Sequence, residues 1–200
     1  MKEKVQDSVA TKLWDAVIVL IALGLALFFA SKAPQVGTSG PIRYVFEWVP
    51  ALNVQLSFLL DGLSVLFAII ISGAGVFVTL YSGAYLAGHE QIGRFRLYLT
   101  LFMLSMIGLV TADNLVALFV FWELTTVTSY LLIGFDHKTE MGRRSARQAL
   151  LVTGGGGLAM MAGFVMMGLA SGSWELSEIT RTGDLLRNHQ LYVPILVTVL

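Results

Sequence analysis

The feature that most limits how this chain can fold is a series of long apolar runs separated by short polar connections. Five runs are long enough to cross a hydrocarbon core of about 30 Å as helices. They cover residues 14–31, 63–85, 95–112, 114–135 and 149–170. A further apolar run at 191–200 would rise only about 15 Å, half a membrane. The sequence therefore predicts an all-α, polytopic transmembrane helix bundle with five full crossings and the start of a sixth.

Composition supports a membrane protein and removes several classes of function. Hydrophobic residues make up 56% of the chain and charged residues only 13%, as expected for a chain that lies in a lipid bilayer. The 13 basic and 13 acidic residues balance, which leaves no surplus charge to hold a nucleic acid. Cysteine is absent, so disulfides, thiolate nucleophiles and cysteine-bound metals are excluded.

Lysine and arginine fall unequally on the two sides of this predicted bundle, nine on one side and four on the other. The nine are Lys2, Lys4, Lys12, Arg94, Arg96, Lys138, Arg143, Arg144 and Arg147, and the four are Lys32, Arg43, Arg181 and Arg187. For a multi-pass protein that we expect in the cell inner (plasma) membrane, the positive-inside rule then predicts that the N-terminus lies in the cytoplasm and residues 32–62 and 171–190 lie outside.

Three local predictions complete this topology. The first apolar run is interpreted as a retained helix, because it is longer than the 7–15-residue core of a signal peptide. Prolines and glycines between residues 34 and 50 indicate loop and turn in the first outer segment. Arg96 is expected to extend toward the lipid headgroups.

Glu123 is the sharpest functional signal in the chain. It lies near the middle of a run from Asn114 to Phe135 that otherwise contains no charge. A charge at this depth costs about 2.5–3.5 kcal/mol, and such residues usually face the bundle interior or a hydrated cavity. Thr126 and Tyr130 share its helical face and could support the carboxylate through their hydroxyls. We therefore predict that Glu123 is a protonatable site; the alternative is a protonated carboxylate used only for helix packing.

Asp61 and Asp113 are weaker candidates. Each directly precedes an apolar run, where an acidic residue can cap the helix N-terminus. Capping is therefore the expected role of both, with guidance of cations toward an ion path as the second possibility.

Several other motifs predict no site. The four glycines at 154–157 lack the Lys and Ser or Thr of a phosphate-binding loop, so close helix packing or local unwinding is expected there. His89, His137 and His189 have no second ligand at metal-binding spacing and are expected to be solvated. No metal or cofactor is predicted. Residues 137–144 form a basic connection that sets topology, with binding of anionic lipid as the minor alternative.

The sequence resembles the large antiporter-like membrane subunits. DGLSVLFAIIISGAGVFVTLYSGAYL, followed by GRFRLYLTLFMLSMIGLVTADNLVALFVFWELTTVTSYLLIGF, is similar to their N-terminal part. This family includes the A-type subunit of Mrp-type Na⁺/H⁺ antiporters, chain 5 of NADH:quinone oxidoreductase and membrane-hydrogenase subunits. The uncharged LLVTGGGGLAMMAG and the FWELT motif look more like the Mrp-type protein.

The resemblance implies roles that the residues alone do not. Glu123 occupies the position of the family's intramembrane glutamate, whose partner lysine would lie 80 to 90 residues farther on. Expected partners are the other membrane subunits of an antiporter-type complex, with protons and Na⁺ as the ions. The resemblance also divides the chain into 1–47 (leader, first helix and external loop), 48–112 (the N-terminal extension typical of chain 5) and 113–200 (the incomplete beginning of the translocating module).

Two alternatives stay open beside membership of an antiporter. One is a proton-pumping membrane subunit of an NADH:quinone oxidoreductase or membrane hydrogenase. The other is a non-conducting structural piece of a split subunit, completed by a partner chain.

Overall fold

A computed structural model describes residues 2–49, 54–87, 89, 91–135 and 139–199, with the side chains of 2–12, 54 and 185 not described. The secondary-structure elements, in chain order, are α1 (Lys2–Ser39), β1 (Ile42–Val49), β2 (Val54–Leu60), α2 (Gly62–Tyr85), α3 (Ile92–Thr111), α4 (Leu115–Ile133), α5 (Glu140–Ser171), α6 (Leu176–Arg181), α7 (Gly183–Arg187) and α8 (Tyr192–Val199).

Five helices in this part of the chain are long and apolar enough to cross a membrane, which confirms the predicted bundle. They are the 13–39 portion of α1 and the whole of α2, α3, α4 and α5. The short α8 packs on α5 and coincides with the sixth apolar run. Consecutive crossing helices pack against one another, so the bundle follows the order of the chain.

The described part of segment 32–62, which was predicted to be loop and turn, is largely helix and strand, so this prediction was wrong. α1 continues through Pro34 to Ser39 and ends at Gly40, whose φ of 87° is accessible to glycine. Two antiparallel strands then form a hairpin in which Ile42 pairs with Leu60. One reason is composition, since IRYVFEWV is rich in β-branched and aromatic residues that outweigh the nearby prolines, and it pairs with the apolar strand VQLSFLL. Pro50 itself lies outside the described residues.

Two apolar clusters hold the bundle together. The first joins α1, α2, α3 and the hairpin through Ala22, Phe29, Leu60, Val65, Ala68, Met103 and Ile107. The second joins α4, α5 and α6 through Leu115, Met160, Phe164 and Ile179. Gly75 allows Met103 to pack closely in the first cluster, as small residues commonly do between membrane helices.

Arg96 does not extend to the lipid headgroups, so this prediction was wrong. Its side chain is 5% exposed and forms an ion pair with Asp15 of α1, at 2.5 Å between Nε and Oδ1. A second contact of 2.5 Å joins Nη2 to Oδ2. Gly83 of α2 leaves the space that the Asp15 carboxylate occupies. The ion pair compensates both charges within the bundle, which makes snorkelling unnecessary.

Candidate functional site

Glu123 lies near the middle of α4, where its half-buried side chain faces α5. One carboxylate oxygen, Oε1, is fully buried and accepts no hydrogen bond from any described residue. A buried acceptor without a partner is rare and costly in proteins. Such an oxygen keeps the capacity to bind a proton, a water molecule or a cationic side chain.

Gly157 of α5 creates the space for this carboxylate. A Cβ atom at position 157 would overlap Oε1 of Glu123 and would also lie 3.5 Å from Nε1 of Trp122. The preceding three glycines of the run, Gly154, Gly155 and Gly156, face open space in a continuous helix. The expected close packing or unwinding was therefore wrong for these three, and only Gly157 makes a close contact. The four-glycine motif thus contains one position that Glu123 requires, which the sequence did not distinguish from its neighbours.

The two supporting hydroxyls do not bond to Glu123 within the described chain. Thr126 is buried on α4, one turn from Glu123. Tyr130 lies farther along the helix and lines a separate cavity with Arg94 and Arg147. Thr125 and Thr128 donate to carbonyls of their own helix. The structure therefore places the carboxylate beside glycine and tryptophan rather than in a ring of hydroxyls, and the roles of Thr126 and Tyr130 stay predictions.

Asp113 belongs to a buried polar network at the opposite end of the bundle from Tyr130. Its Oδ2 lies 3.1 Å from Nε of Arg43. Ser177 donates to the Asp113 carboxylate through its backbone N–H at 2.8 Å and its hydroxyl at 2.7 Å. Asp113 does not cap α4, because Asn114 does so by accepting from the N–H groups of Val116 and Ala117. The expected capping role of Asp113 was therefore wrong by one residue.

Glu175 completes this network from the connection between α5 and α6. Its Oε2 accepts from Arg43 at 2.7 Å and from the Ser57 hydroxyl, and its Oε1 accepts from Asn114 at 2.8 Å. The network thus joins the hairpin, the start of α4 and the end of α5. Sequence reasoning missed it because its charges are far apart in the chain. The available signal was Arg43, a lone arginine in the first segment predicted to lie outside.

Arg43 remains charged in this setting. Burial acts to lower its pKa, but the hydrogen bond and charge of Glu175 and the charge of Asp113 outweigh burial, so the pKa is raised above its ordinary value. Asp113 and Glu175 therefore have a permanent counter-ion.

Asp61 caps α2 as predicted. Its carboxylate accepts from the Ser64 N–H at 2.7 Å, and the Ser64 hydroxyl accepts from the Asp61 N–H at 2.8 Å, which forms a capping box. Asp61 and Asp113 line one cavity of about 390 Å³ together with the hydroxyl-bearing Ser64, Ser177 and Thr180. The structure therefore brings both acidic candidates to one place, about a helix length from the basic end of the bundle.

The histidines stand apart from these sites. His89 and His189 are exposed, and each accepts a backbone N–H bond through Nδ1. His137 lies outside the described residues. Within the described part of the chain, no group of three or more His, Asp or Glu side chains could hold a metal ion.

Comparison with known proteins, like the fold, indicates a membrane-spanning subunit. Residues 47–96 match the family described as NADH-ubiquinone oxidoreductase (complex I), chain 5 N-terminus, and residues 112–200 match NADH:quinone oxidoreductase/Mrp antiporter, TM. The structure is similar to that of the Mrp complex from Dietzia sp., with a TM-score of 0.77 and 32% identity over 96% of this chain and 21% of that one. It also matches the fold of an archaeal membrane-bound sulfane sulfur reductase, with a TM-score of 0.77 and 19% identity over 98% of this chain and 41% of that one.

Curated relatives include antiporter components. A probable K(+)/H(+) antiporter A/B subunit of Rhizobium meliloti is 43% identical over 90% of this chain and 18% of its own length. The Na(+)/H(+) antiporter A subunit of Alkalihalophilus pseudofirmus is 36% identical over 92% of this chain and 23% of its own length. The chain therefore spans about a fifth of the length of these relatives.

The five apolar helices define a multi-pass membrane protein. The chain belongs to the family of antiporter-like membrane subunits shared by NADH:quinone oxidoreductases and Mrp antiporters, and within it resembles the A-type Mrp subunit. The three-part domain division given above stays a prediction.

Proposed function

We propose that this chain is part of a membrane subunit of a multisubunit monovalent cation/proton antiporter, in which Glu123 contributes the protonatable group of a proton path. The observation that supports this role most strongly is the buried Oε1 of Glu123, which accepts no hydrogen bond in the described chain. Binding a proton or a water molecule would remove the free-energy cost of this unpaired buried oxygen, and both are components of a proton path.

The cavity lined by Asp61 and Asp113 is the proposed outer mouth of the ion path. Asp113 is compensated by Arg43, whereas Asp61 is bound only through its cap in the described chain. Asp61 is therefore the better candidate for attracting cations. Na⁺ is the cation we propose, and the names of the relatives make K⁺ the necessary comparison. The proposed location is the plasma membrane, with the N-terminus in the cytoplasm and other antiporter subunits as partners.

The test is Glu123→Gln in the complete complex, reconstituted into vesicles and assayed by the collapse of a pH gradient on addition of Na⁺ or K⁺. Gln preserves size and cannot transfer a proton, so exchange should fall about a hundredfold or more while assembly is unchanged. Glu140→Gln is the matched control, because Glu140 is exposed in the first turn of α5. Wild-type exchange by Glu123→Gln would refute the role.

The redox-complex alternative is favoured by one observation, the match of residues 47–96 to chain 5 of complex I. It predicts that Glu123→Gln impairs proton pumping driven by quinone reduction. A preparation that exchanges cations with no quinone-linked pumping rules it out. If the complete complex assembles and neither activity depends on this chain, the structural alternative is correct.

A further inference from the structure

A cavity of about 410 Å³ lies at the end of the bundle that holds most of the basic residues. It is formed where α3 begins, α4 ends and α5 begins. Three arginines line it, Arg94 from α3 and Arg143 and Arg147 from α5, together with the phenols of Tyr98 and Tyr130. None of the described lining residues carries a carboxylate. Among these residues, Arg94, Arg147 and the two phenols place two positive charges and several hydrogen-bond donors around one space.

The donors are organised on rigid elements. Arg94 stacks 5.9 Å from the Tyr98 ring and donates to its hydroxyl through Nε at 3.3 Å and Nη2 at 3.1 Å. The Tyr98 hydroxyl accepts both bonds, so its own proton is available for donation. Arg147 donates to a backbone carbonyl through Nε at 3.4 Å. In the described chain this contact leaves its Nη hydrogens for a ligand. Guanidinium groups held in this way match the oxygens of a phosphate.

An apolar stripe leads away from the cavity along the same face of α3. Leu97, Leu101 and Leu104 follow Arg94 at helical spacing and are 56%, 42% and 43% exposed. This stripe runs into the membrane-spanning part of α3. The juxtaposition matches an amphiphile, with an anionic headgroup in the cavity and an acyl chain on the leucines. A soluble anion has no acyl chain and would make no apolar contact with these leucines.

We propose that this cavity binds the phosphodiester headgroup of an anionic phospholipid, with one acyl chain packed along Leu97, Leu101 and Leu104. The volume suits such a headgroup, since small-molecule sites span about 300–1,000 Å³. Basic pockets between membrane helices on the positive side of a bundle are a recognised setting for anionic headgroups. The bound lipid joins α3 to α5 across the end of α4. This inference is independent of the role of Glu123.

The test uses the complete protein that contains this chain, purified in detergent. Thermal unfolding is measured with dioleoylphosphatidylglycerol, with dioleoylphosphatidylcholine and with inorganic phosphate alone. A ligand that binds the folded state raises Tm. Phosphatidylglycerol should raise the Tm of the wild type, while the same amount of phosphatidylcholine or inorganic phosphate should not.

Arg94→Gln/Arg147→Gln should remove the phosphatidylglycerol shift. Arg144→Gln, an exposed neighbour outside the cavity lining, should keep it. Because the double variant also breaks the Arg94–Tyr98 contact and could fail to fold, Arg147→Gln alone is the second variant and should weaken the shift. Native mass spectrometry should show one fewer retained phosphatidylglycerol in the double variant than in the wild type.

Equal phosphatidylglycerol shifts in the wild type and in Arg147→Gln would overturn the proposal. An arginine-dependent shift with inorganic phosphate alone would also overturn it, because the site would then take a soluble anion.

Discussion

Gly157 of α5 lies so close to the Glu123 carboxylate of α4 that a Cβ atom at position 157 would overlap Oε1. The carboxylate therefore depends on the absence of a side chain on the neighbouring helix. Substitution of Gly157 by alanine adds a single methyl group and tests this dependence. It does not weaken the helix itself, because alanine favours helices more than glycine by about 1 kcal/mol.

Gly157→Ala should reduce cation-driven proton exchange several-fold, because the methyl group displaces the Glu123 carboxylate. Gly155→Ala is the matched control, since Gly155 faces open space one half-turn away. Both variants should assemble with at least wild-type helix stability. Exchange rates in reconstituted vesicles decide the matter, and equal rates for the two variants would contradict the positioning role of Gly157.

Asp61→Asn and Asp61→Ala separate the two roles of Asp61. Asparagine caps helices as well as aspartate does, whereas alanine costs about 1 kcal/mol of cap stability. If the charge attracts cations, both variants should raise the cation concentration needed for half-maximal exchange. A defect confined to Asp61→Ala would show that Asp61 acts only as the α2 cap.

Arg43→Lys should make the network of Arg43, Asp113 and Glu175 sensitive to alkaline pH. A cation stabilised by carboxylates contributes stability below its folded-state pKa and loses that contribution as the pH rises through it. The raised pKa of Arg43 lies beyond usable buffers, so wild-type stability should not change from this source. Lysine has an ordinary pKa of about 10.4, so the variant should lose thermal stability as the pH approaches and passes that region. Arg187→Lys, on an exposed arginine, should show no such trend.

Arg96→Met should destabilise the bundle by about 3–5 kcal/mol, because it leaves the Asp15 carboxylate within the bundle without its counter-ion. Asp15→Leu/Arg96→Met should recover most of this loss, since removal of both charges leaves no uncompensated group. Thermal unfolding of the wild type, both single variants and the double variant forms the complete cycle. A double variant as unstable as the sum of the single variants would show that the ion pair is not coupled.

The five crossings could be predicted because each is a run of apolar residues whose length alone meets the membrane requirement. The hairpin could not, because its strands lie among prolines and glycines that favour loops, and their pairing joins two separate segments of the chain. Arg96 illustrates the same limit. Its residue type and position near a helix end favour snorkelling, and only the approach of α1 supplies Asp15.

The residues of the candidate site also include some that the sequence could predict and some that it could not. Glu123 could be found from one charge in an apolar run, since the cost of burying it needs an explanation. Gly157 could not be chosen from four consecutive glycines, because the helical phase of α5 relative to α4 decides which one faces the carboxylate. The partners of Asp113 lie in the hairpin and beyond α5, so helix capping was the nearest explanation that the local sequence offered.

The contact between Arg43 and Glu175 also constrains the order of biosynthesis. The two residues are separated by 132 positions. At a synthesis rate of about 5–20 residues per second, roughly 7 to 26 s pass between translation of the first and the second. During that interval the hairpin has its arginine but lacks the glutamate at the end of the fifth crossing. The network of Arg43, Asp113 and Glu175 can close only after α5 has been inserted, because Glu175 must lie on the same side of the membrane as Arg43.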